Sequence, residues 1–266
     1  FEVFSDLGIG ESEVLMAHRA AKVAAIMRAH VNNEADPIRL DHTMHFSQRQ
    51  HGVIEVMQDE KSCGGVDGVV VKRERLKFAM SKLNQRKIAI LATNGFEQSE
   101  LEHPLQALRD AGAEVHVVSP EEGEIKGWDT DDWGRAVSVD RKLSQVTADD
   151  YDALVLPGGQ INPDLLRVND EALTFVKAFW SAGKPIGAIC HAPWLLAEAG
   201  IAKGRKLTSY KSIKTDMMNA GAIWEDSEVV TDQGLVTSRN PNDLPAFCSK
   251  LIEEIAEGRH ERRSAA

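Results

Sequence analysis

From about residue 86 onward, short apolar runs alternate with longer stretches in which apolar residues recur every three or four positions. Residues 87–92 are apolar throughout after the initial lysine, as is typical of a strand buried on both faces. Leu101, Leu105 and Leu108 then share one face of a predicted helix at 97–111. The same alternation predicts strands at 114–119, 137–139, 152–156, 186–189 and 206–209, helices at 170–182, 194–199, 213–220 and 244–256, and a hairpin around 229–236. This order predicts an α/β fold in which helices cover both faces of a mostly parallel sheet.

The first 79 residues do not share this pattern. Residues 11–31 have a helical composition, but 41–65 are polar, rich in histidine and without a clear period. All five tryptophans and both tyrosines lie further along the chain, so this region lacks the large aromatic anchors of a core. Met80 resembles an ordinary protein start. We therefore expect 1–79 to be an extension, either a non-native upstream translation or a poorly ordered appendage.

The regular domain is expected to span 80–260, with a frayed tail at 261–266. The charged composition of this tail already begins at Glu257, so we expect fraying from that residue onward. The apolar run at 66–71, within the extension, is either a short strand or unstructured.

The composition narrows the classes of function. A formal net charge of −10 disfavours a nucleic-acid-binding protein, and 42% hydrophobic residues suit a globular protein of the cytoplasm. Three separated cysteines include no CxxC pair, so they predict neither a disulfide framework nor a zinc site. No apolar run approaches the roughly 20 residues of a transmembrane helix. His30, His42 and His45 lack a partner at a metal-binding spacing and no nucleotide loop is present, so we expect neither a metal nor a cofactor.

The strongest chemical signal is a cysteine between a predicted strand and a predicted helix. Ile186 and Ile189 belong to the strand, Pro193 suits the first turn of the helix, and Cys190 lies between them. A residue at this junction projects from the carboxyl edge of a parallel sheet, where α/β proteins bind their ligands. The start of the helix would also favour the thiolate form of Cys190. The alternative is that Cys190 is simply a small buried apolar residue.

Loops after three predicted strands carry chemical groups and meet at the same edge of the sheet. These groups are Glu97 and Glu100, Gly158 and Gly159, and Cys190 and His191. A carboxyl group beside a thiol can orient it, and burial there would raise the pKa of the carboxyl. The N–H groups of Gly159 and His191 are candidates for an oxyanion hole. Each pair also has a purely structural explanation. The glutamates could stabilise a helix N-terminus through their charge, and the glycines could simply form a tight turn.

Residues 120–135 are predicted to form a long polar loop, in which six acidic residues surround Trp128 and Trp133. Two tryptophans in such an acidic loop indicate either a packed lid or contact surface, or a pair of half-buried loop anchors. The sequence leaves these two interpretations open.

Several ordered motifs resemble those of the PfpI endopeptidase family. This family is related to the parkinsonism-associated deglycase and belongs to the class I glutamine amidotransferase-like superfamily. The motifs are ATNGFEQSELEHP at 92–104, LPGG at 156–159, AICHAP at 188–193 and TSY at 208–210. The segments at 126–128 and 238–241 also fit bacterial general-stress members of the family. The resemblance covers about 85–258 and none of residues 1–79.

This resemblance implies a flavodoxin-like three-layer sandwich with Cys190 as its nucleophile. Glu100 matches the family's carboxyl group beside the thiol, and Glu97 matches its second acidic position. His191 matches the histidine of the peptidase-type members, and Tyr210 is a candidate residue of the substrate pocket.

In the peptidase-type members, an acidic residue of a neighbouring subunit orients the histidine. Pro163 occupies the matching position here, and Asp164, one residue later, is the candidate substitute. The resemblance therefore implies a homodimer or a higher homo-oligomer, with a complete triad only if Asp164 takes this role.

The activities associated with the family are removal of glyoxal and methylglyoxal adducts, cofactor-free hydration of glyoxals, peptide hydrolysis, and chaperone or redox-sensor behaviour. The enzymatic activities share attack by a thiolate on an electrophilic carbon. We expect a stress-protective enzyme that depends on Cys190 and acts on glyoxal, methylglyoxal or their adducts on proteins.

Two alternatives remain open at this point. One is an intracellular cysteine peptidase that uses His191 with Asp164. The other is a non-enzymatic oxidation sensor or holdase, in which Glu100 stabilises a sulfinic acid at Cys190. A glutamine amidotransferase is disfavoured, because that chemistry needs a histidine well downstream of the nucleophile and only His260 follows His191.

Overall fold

The computed structural model describes residues 45–49, 53–57 and 82–261. The chain divides into two compact units, at 1–77 and 78–266. In the first unit, strands β1 (His45–Arg49) and β2 (Val53–Met57) pair as an antiparallel hairpin. This region has no clear hydrophobic period, so the hairpin was not predicted. The predictions for 11–31, for 66–71 and for the histidine side chains of this unit fall outside the described residues.

A seven-stranded sheet forms the centre of the second unit. In spatial order its strands are β13 (Val230–Asp232), β14 (Leu235–Ser238), β10 (Ile186–Ile189), β9 (Ala153–Leu156), β3 (Lys87–Leu91), β5 (Glu114–Ser119) and β8 (Arg141–Lys142). Every neighbouring pair is parallel except β13 and β14, which form the predicted hairpin. The mostly parallel sheet is therefore confirmed.

Helices pack on both faces of this sheet. In chain order they are α1 (Gln98–Asp110), α2 (Ile161–Leu166), α3 (Asp170–Ser181), α4 (Pro193–Glu198), α5 (Lys214–Asn219) and α6 (Leu244–Glu257). Alternate residues of β3 point to opposite faces of the sheet. Ile88 and Ile90 pack with α1 and α6, whereas Ala89 and Leu91 pack with α3 and α4. This division into two cores confirms the predicted three-layer sandwich.

The predicted loop at 120–135 is mostly β-structure. Strand β6 (Glu124–Asp129) pairs antiparallel with β7 (Asp132–Ser138), and the short β4 (Phe96–Glu97) pairs with β6. Trp128 and Trp133 lie opposite each other in this hairpin, with ring centroids 5.6 Å apart. The loop prediction was wrong because β7 is exposed along most of its length, so no alternation of apolar and polar residues marks it.

Two smaller differences concern one helix and one strand of this unit. Helix α2, directly after the double glycine, was not predicted, because the proline in its first turn reads as a turn signal. The strand predicted at 206–209 is only β11 (Lys206–Leu207), which pairs with β12 (Ile223–Trp224) outside the central sheet.

The C-terminus is more regular than its charge suggested. Glu257 is the last residue of α6, and the N–H of His260 donates to the carbonyl of Gly183 at 2.8 Å. The prediction of fraying from Glu257 is therefore wrong as far as His260. Within the described part of the chain, no helix has both the length and the apolar character that crossing a bilayer requires.

Candidate active site

Cys190 occupies a sharp turn between a strand and a helix. It follows β10 directly, and α4 begins three residues later at Pro193. Its φ of 63° places a non-glycine residue in the left-handed region, which is costly unless the surroundings enforce it. Two backbone hydrogen bonds do so: the Cys190 N–H donates to Ser238 at 3.0 Å, and the Cys190 carbonyl accepts from Tyr210 at 2.8 Å. The thiol therefore projects from the carboxyl edge of the sheet, as predicted.

Glu100 lies beside this thiol in the first turn of α1. The residue is fully buried, and its Oε2 accepts a hydrogen bond from the N–H of Gly158 at 3.0 Å. Burial, followed by the nearby negative charge of Glu97, raises the pKa of Glu100 to about 8, although hydrogen bonds with Cys190 and the glycine loop oppose this shift. At neutral pH the carboxyl group therefore retains its proton.

Cys190 as a whole residue is 6% exposed. Burial raises the pKa of Cys190, and the negative charge of an ionised Glu100 raises it further, while the N–H groups of Gly159 and His191 lower it. The expectation that the helix start alone would favour the thiolate is therefore wrong for the resting site, because desolvation is the larger effect. Protonation of Glu100 removes the repulsion between its negative charge and the thiolate. The ionisation of Cys190 therefore depends on that of Glu100, and the two groups titrate as a coupled pair.

The double glycine makes room for this contact. A Cβ at Gly158 would lie 2.5 Å from Oε2 of Glu100 and 2.6 Å from Cβ of Cys190. Gly159 has a φ of 78°, which favours glycine, and its N–H points at the sulfur. The N–H of His191 also lies at the sulfur, so the two donors predicted as an oxyanion hole are both beside the thiol, and their role towards a substrate oxygen stays a prediction.

His191 contacts the sulfur directly. Its Nδ1 lies 3.2 Å from Sγ of Cys190, and its Nε2 lies 3.0 Å from Oγ of Ser212. The ring stacks on Tyr210 with centroids 4.8 Å apart. Burial lowers the pKa of His191, so the imidazole is neutral at neutral pH and able to accept a proton. Ser212 was missed by the sequence reasoning, since a serine two residues beyond Tyr210 carries no recognisable signal.

A sequence model of the DJ-1/PfpI family matches residues 86–254, which include all of these groups. The chain belongs to the DJ-1/PfpI family. Deglycase PfpI of Pyrococcus furiosus is 43% identical over 167 residues, which is 63% of this chain and 98% of that protein. Protein/nucleic acid deglycase 2 of Escherichia coli is 46% identical over 164 residues, covering 61% of this chain and 93% of that protein.

A solved structure supports the same assignment. The crystal structure of Drosophila melanogaster DJ-1beta superposes with a TM-score of 0.60 at 32% identity, covering 64% of this chain and 90% of that one. The flavodoxin-like sandwich expected from the resemblance is thereby confirmed.

Two predicted residues of this DJ-1/PfpI domain lie further from the sulfur. Glu97 immediately precedes α1, is partly buried, and accepts a hydrogen bond from Ser99 at 3.2 Å. Burial is the main cause that raises the pKa of Glu97. Asp164 is exposed on α2, and the partner of Nε2 of His191 is Ser212 instead. Within one chain, then, Asp164 does not complete a triad.

Asn162 holds the loops of the site together and was not predicted. Its Oδ1 accepts from the N–H of Thr93 at 2.7 Å, and its Nδ2 donates to the carbonyls of Pro157 and Gly158 at 2.9 and 3.2 Å. The side chain is completely buried, so these three bonds replace its contacts with water. Asn162 thus ties the loop after β3 to the loop after β9 and fixes the position of Gly158.

Proposed function

We propose that this DJ-1/PfpI protein is an enzyme that acts through Cys190 on glyoxal, methylglyoxal or the adducts they form with amines and thiols. The observation that carries the proposal is the contact of one thiol with a buried, protonated Glu100 and a neutral His191. The relatives named deglycases support this substrate class. A stress-protective role in the cytoplasm stays a prediction.

The geometry supplies each group that a thiol addition requires. His191 Nδ1 accepts the proton of Sγ, and the neutral Glu100 leaves the new thiolate without a repelling charge. The sulfur then attacks an aldehyde carbon, so a C–S bond forms and the carbonyl electron pair moves onto oxygen. The N–H groups of Gly159 and His191 stabilise that oxyanion.

Free methylglyoxal and its adducts lead to the same hemithioacetal on Cys190. With free methylglyoxal, a proton shift between the two oxidised carbons gives a thioester, and water then releases the hydroxy acid and restores the thiol. With an adduct, the former aldehyde carbon already carries a hydroxyl and the bound amine or thiol, so the sulfur of Cys190 displaces this group. The new C–S bond forms as the old bond breaks, the amine or thiol leaves with a proton, and the hemithioacetal is then converted to the hydroxy acid and hydrolysed from the sulfur in the same way. Glu100, with a pKa of about 8, can donate and accept protons in this pH range.

The proposal is tested by following methylglyoxal and its adduct with N-acetylcysteine or N-acetyllysine by proton NMR, with the full chain and no added cofactor. We expect consumption of substrate with formation of lactate. If the protein converts neither the free aldehyde nor either adduct, the proposed substrate class is wrong. This outcome would leave the family membership and the fold unaffected.

Peptide hydrolysis is a second candidate, favoured by the 3.2 Å contact between Cys190 and His191. A peptidase needs the imidazole oriented while it passes a proton to the leaving amine. Within the chain, the hydroxyl of Ser212 is the hydrogen-bond partner of Nε2 of His191. A neutral hydroxyl stabilises a protonated imidazole less than a carboxylate would. Peptidase activity therefore depends on an acidic group supplied from outside the chain.

We also propose that a second copy of the chain covers the surface around Asp164. Three apolar side chains are exposed along α2 and the turn after it: Ile161, Leu165 and Val168, at 40, 49 and 78%. Their spacing of four and three residues places them on one side of the helix, next to the carboxylate. Burying such a stripe against its own copy removes apolar surface from water and brings Asp164 to an interface.

Leu165→Asp is expected to shift the protein from dimer to monomer in analytical ultracentrifugation, because it places a charge in the apolar stripe. Met218→Asp is the matched control, since Met218 is similarly exposed on α5. Monomeric wild-type protein, or a Leu165→Asp variant that associates as tightly as wild type, would contradict this interface.

A further inference from the structure

The end of helix α6 brings together three side chains of the kind that bind metals. Glu254 and Glu257 lie one turn apart on the helix, and Gly258, with a φ of 94°, then reverses the chain. This reversal returns His260 to the side of Glu254. One ligand atom from each of the three residues lies within 4.8 Å of the other two.

Two of these ligand atoms have no hydrogen-bond partner. Glu254 is only 5% exposed, and its Oε2 is buried without a hydrogen bond. Nε2 of His260 is likewise buried without a hydrogen bond, although it lies 3.1 Å from Oε2. Buried polar atoms are nearly always paired, so this pair of atoms points to a ligand between or beside them.

The fold fixes His260 in place. Its backbone N–H donates to the carbonyl of Gly183, and its ring lies over Gly234, where a Cβ would be 2.4 Å from Cδ2. Gly183 precedes β10 and Gly234 precedes β14, so the cluster lies at the amino edge of the sheet. Cys190 lies at the opposite, carboxyl edge, and the cluster therefore takes no part in the proposed thiol chemistry.

The two carboxylates supply negative charge at this position, and the cationic Arg86 lies near the turn, with its Nη2 3.5 Å from where a Cβ of Gly258 would be. Both carboxylates lie in the last turn of α6, where the helix dipole is negative, and that turn contains no basic residue. The nearest cationic side chain on the helix is Lys250, whose Nζ lies 4.0 Å from Oε1 of Glu254 and 3.0 Å from Glu253. Lys250 thus lies near Oε1 of Glu254. Oε2, which faces His260, remains available to bind a cation.

We propose that Glu254, Glu257 and His260 bind a Zn²⁺ ion. One imidazole nitrogen and two carboxylate oxygens are ligands that zinc accepts, with water in a fourth position. Ligand atoms of a tetrahedral site lie about 3.4 Å apart, so the Glu254–His260 pair is already close to the required spacing. The exposed Glu257 needs only a side-chain rotation to complete the set. The ion would tie the end of α6 to the turns before β10 and β14 and so stabilise the fold.

The test is a zinc titration of the full chain after removal of metal with a chelator, followed by isothermal calorimetry. His260→Gln is expected to lose one zinc ion per chain, or to bind it at least tenfold more weakly. Zinc should also raise the unfolding temperature of wild type more than that of the variant. His103→Gln is the matched control, because it also removes one histidine, but an exposed one on α1 outside the cluster. This variant should bind zinc as wild type does.

A second variant keeps the test decisive if His260→Gln does not fold. Glu257→Gln changes an exposed side chain, so it should fold normally and still weaken zinc binding severalfold. If both variants bind as many zinc ions as wild type with the same affinity, the proposal is overturned. The Glu254–His260 contact would then be an ion pair formed only with a protonated imidazole.

Discussion

Cys190→Ala is expected to reduce the turnover of methylglyoxal and its adducts at least about a thousandfold, because the variant lacks the atom that attacks the aldehyde. The surrounding donors alone provide only a small residual rate, since no covalent intermediate forms. The measurement is kcat/KM for loss of methylglyoxal, with lactate formation as the second readout. The substitution removes little volume, so folding should be retained, which circular dichroism will check.

Cys248→Ala is the matched control for this prediction. Cys248 is the other free cysteine in the described part of the chain, and it is buried in α6. Burial is the only cause that raises the pKa of Cys248 to about 12, whereas Cys190 has Nδ1 of His191 within 3.2 Å to accept its proton. The Cys248→Ala variant should keep activity within about twofold of wild type. A Cys190→Ala enzyme within tenfold of wild type would show that the turnover does not pass through this thiol.

Glu100→Gln is expected to abolish most of the pH dependence of stability between pH 5 and pH 8. The folded-state pKa of Glu100 is raised from 4.5 to about 8, so unfolding in this range releases a proton. The stability that the neutral carboxyl contributes is complete below pH 4.5 and is lost as the pH rises to 8. At about 1.4 kcal/mol per pKa unit, the full change is about 5 kcal/mol at most. The glutamine cannot ionise and should show no such loss.

The measurement is the free energy of unfolding in urea at a series of pH values. The difference between wild type and variant is used, because His191, whose pKa is lowered by burial, is present in both proteins and its contribution cancels. Glu121→Gln, an exposed carboxyl on the same domain, is the control and should follow wild type. Parallel curves for wild type and Glu100→Gln would mean that Glu100 is ionised in the folded protein.

The fold was largely predictable because its core strands are buried on both faces. The continuous apolar runs of β3, β9 and β10 are typical of central parallel strands, and the glycines after them mark the turns. The β6–β7 hairpin was missed because most of β7 is exposed, so its stability comes from pairing and from the contact between Trp128 and Trp133. Such interactions leave no hydrophobic period in the sequence.

The site was predictable only in part. Topology alone brings the loops with Glu100, Gly158 and Cys190 to one edge of the sheet, and their chemistry then marks them. Asn162 and Ser212 act through hydrogen bonds to residues that are distant in the sequence. A single asparagine or serine carries no sequence signal that identifies such a partner. The raised pKa of the carboxyl followed from the sequence, but the protonation of the thiol did not, because the balance between burial and the helix start depends on how deeply Cys190 lies.

The most direct test of the account is the mass of the intact protein after brief incubation with methylglyoxal and a rapid acid quench, followed by peptide mapping. We expect wild type and Cys248→Ala to carry one added methylglyoxal on the peptide that contains Cys190, and Cys190→Ala to carry none at that position. If substrate is turned over while the Cys190 peptide stays unmodified, and the adduct appears elsewhere or in the Cys190→Ala protein as well, the thiol is not the nucleophile.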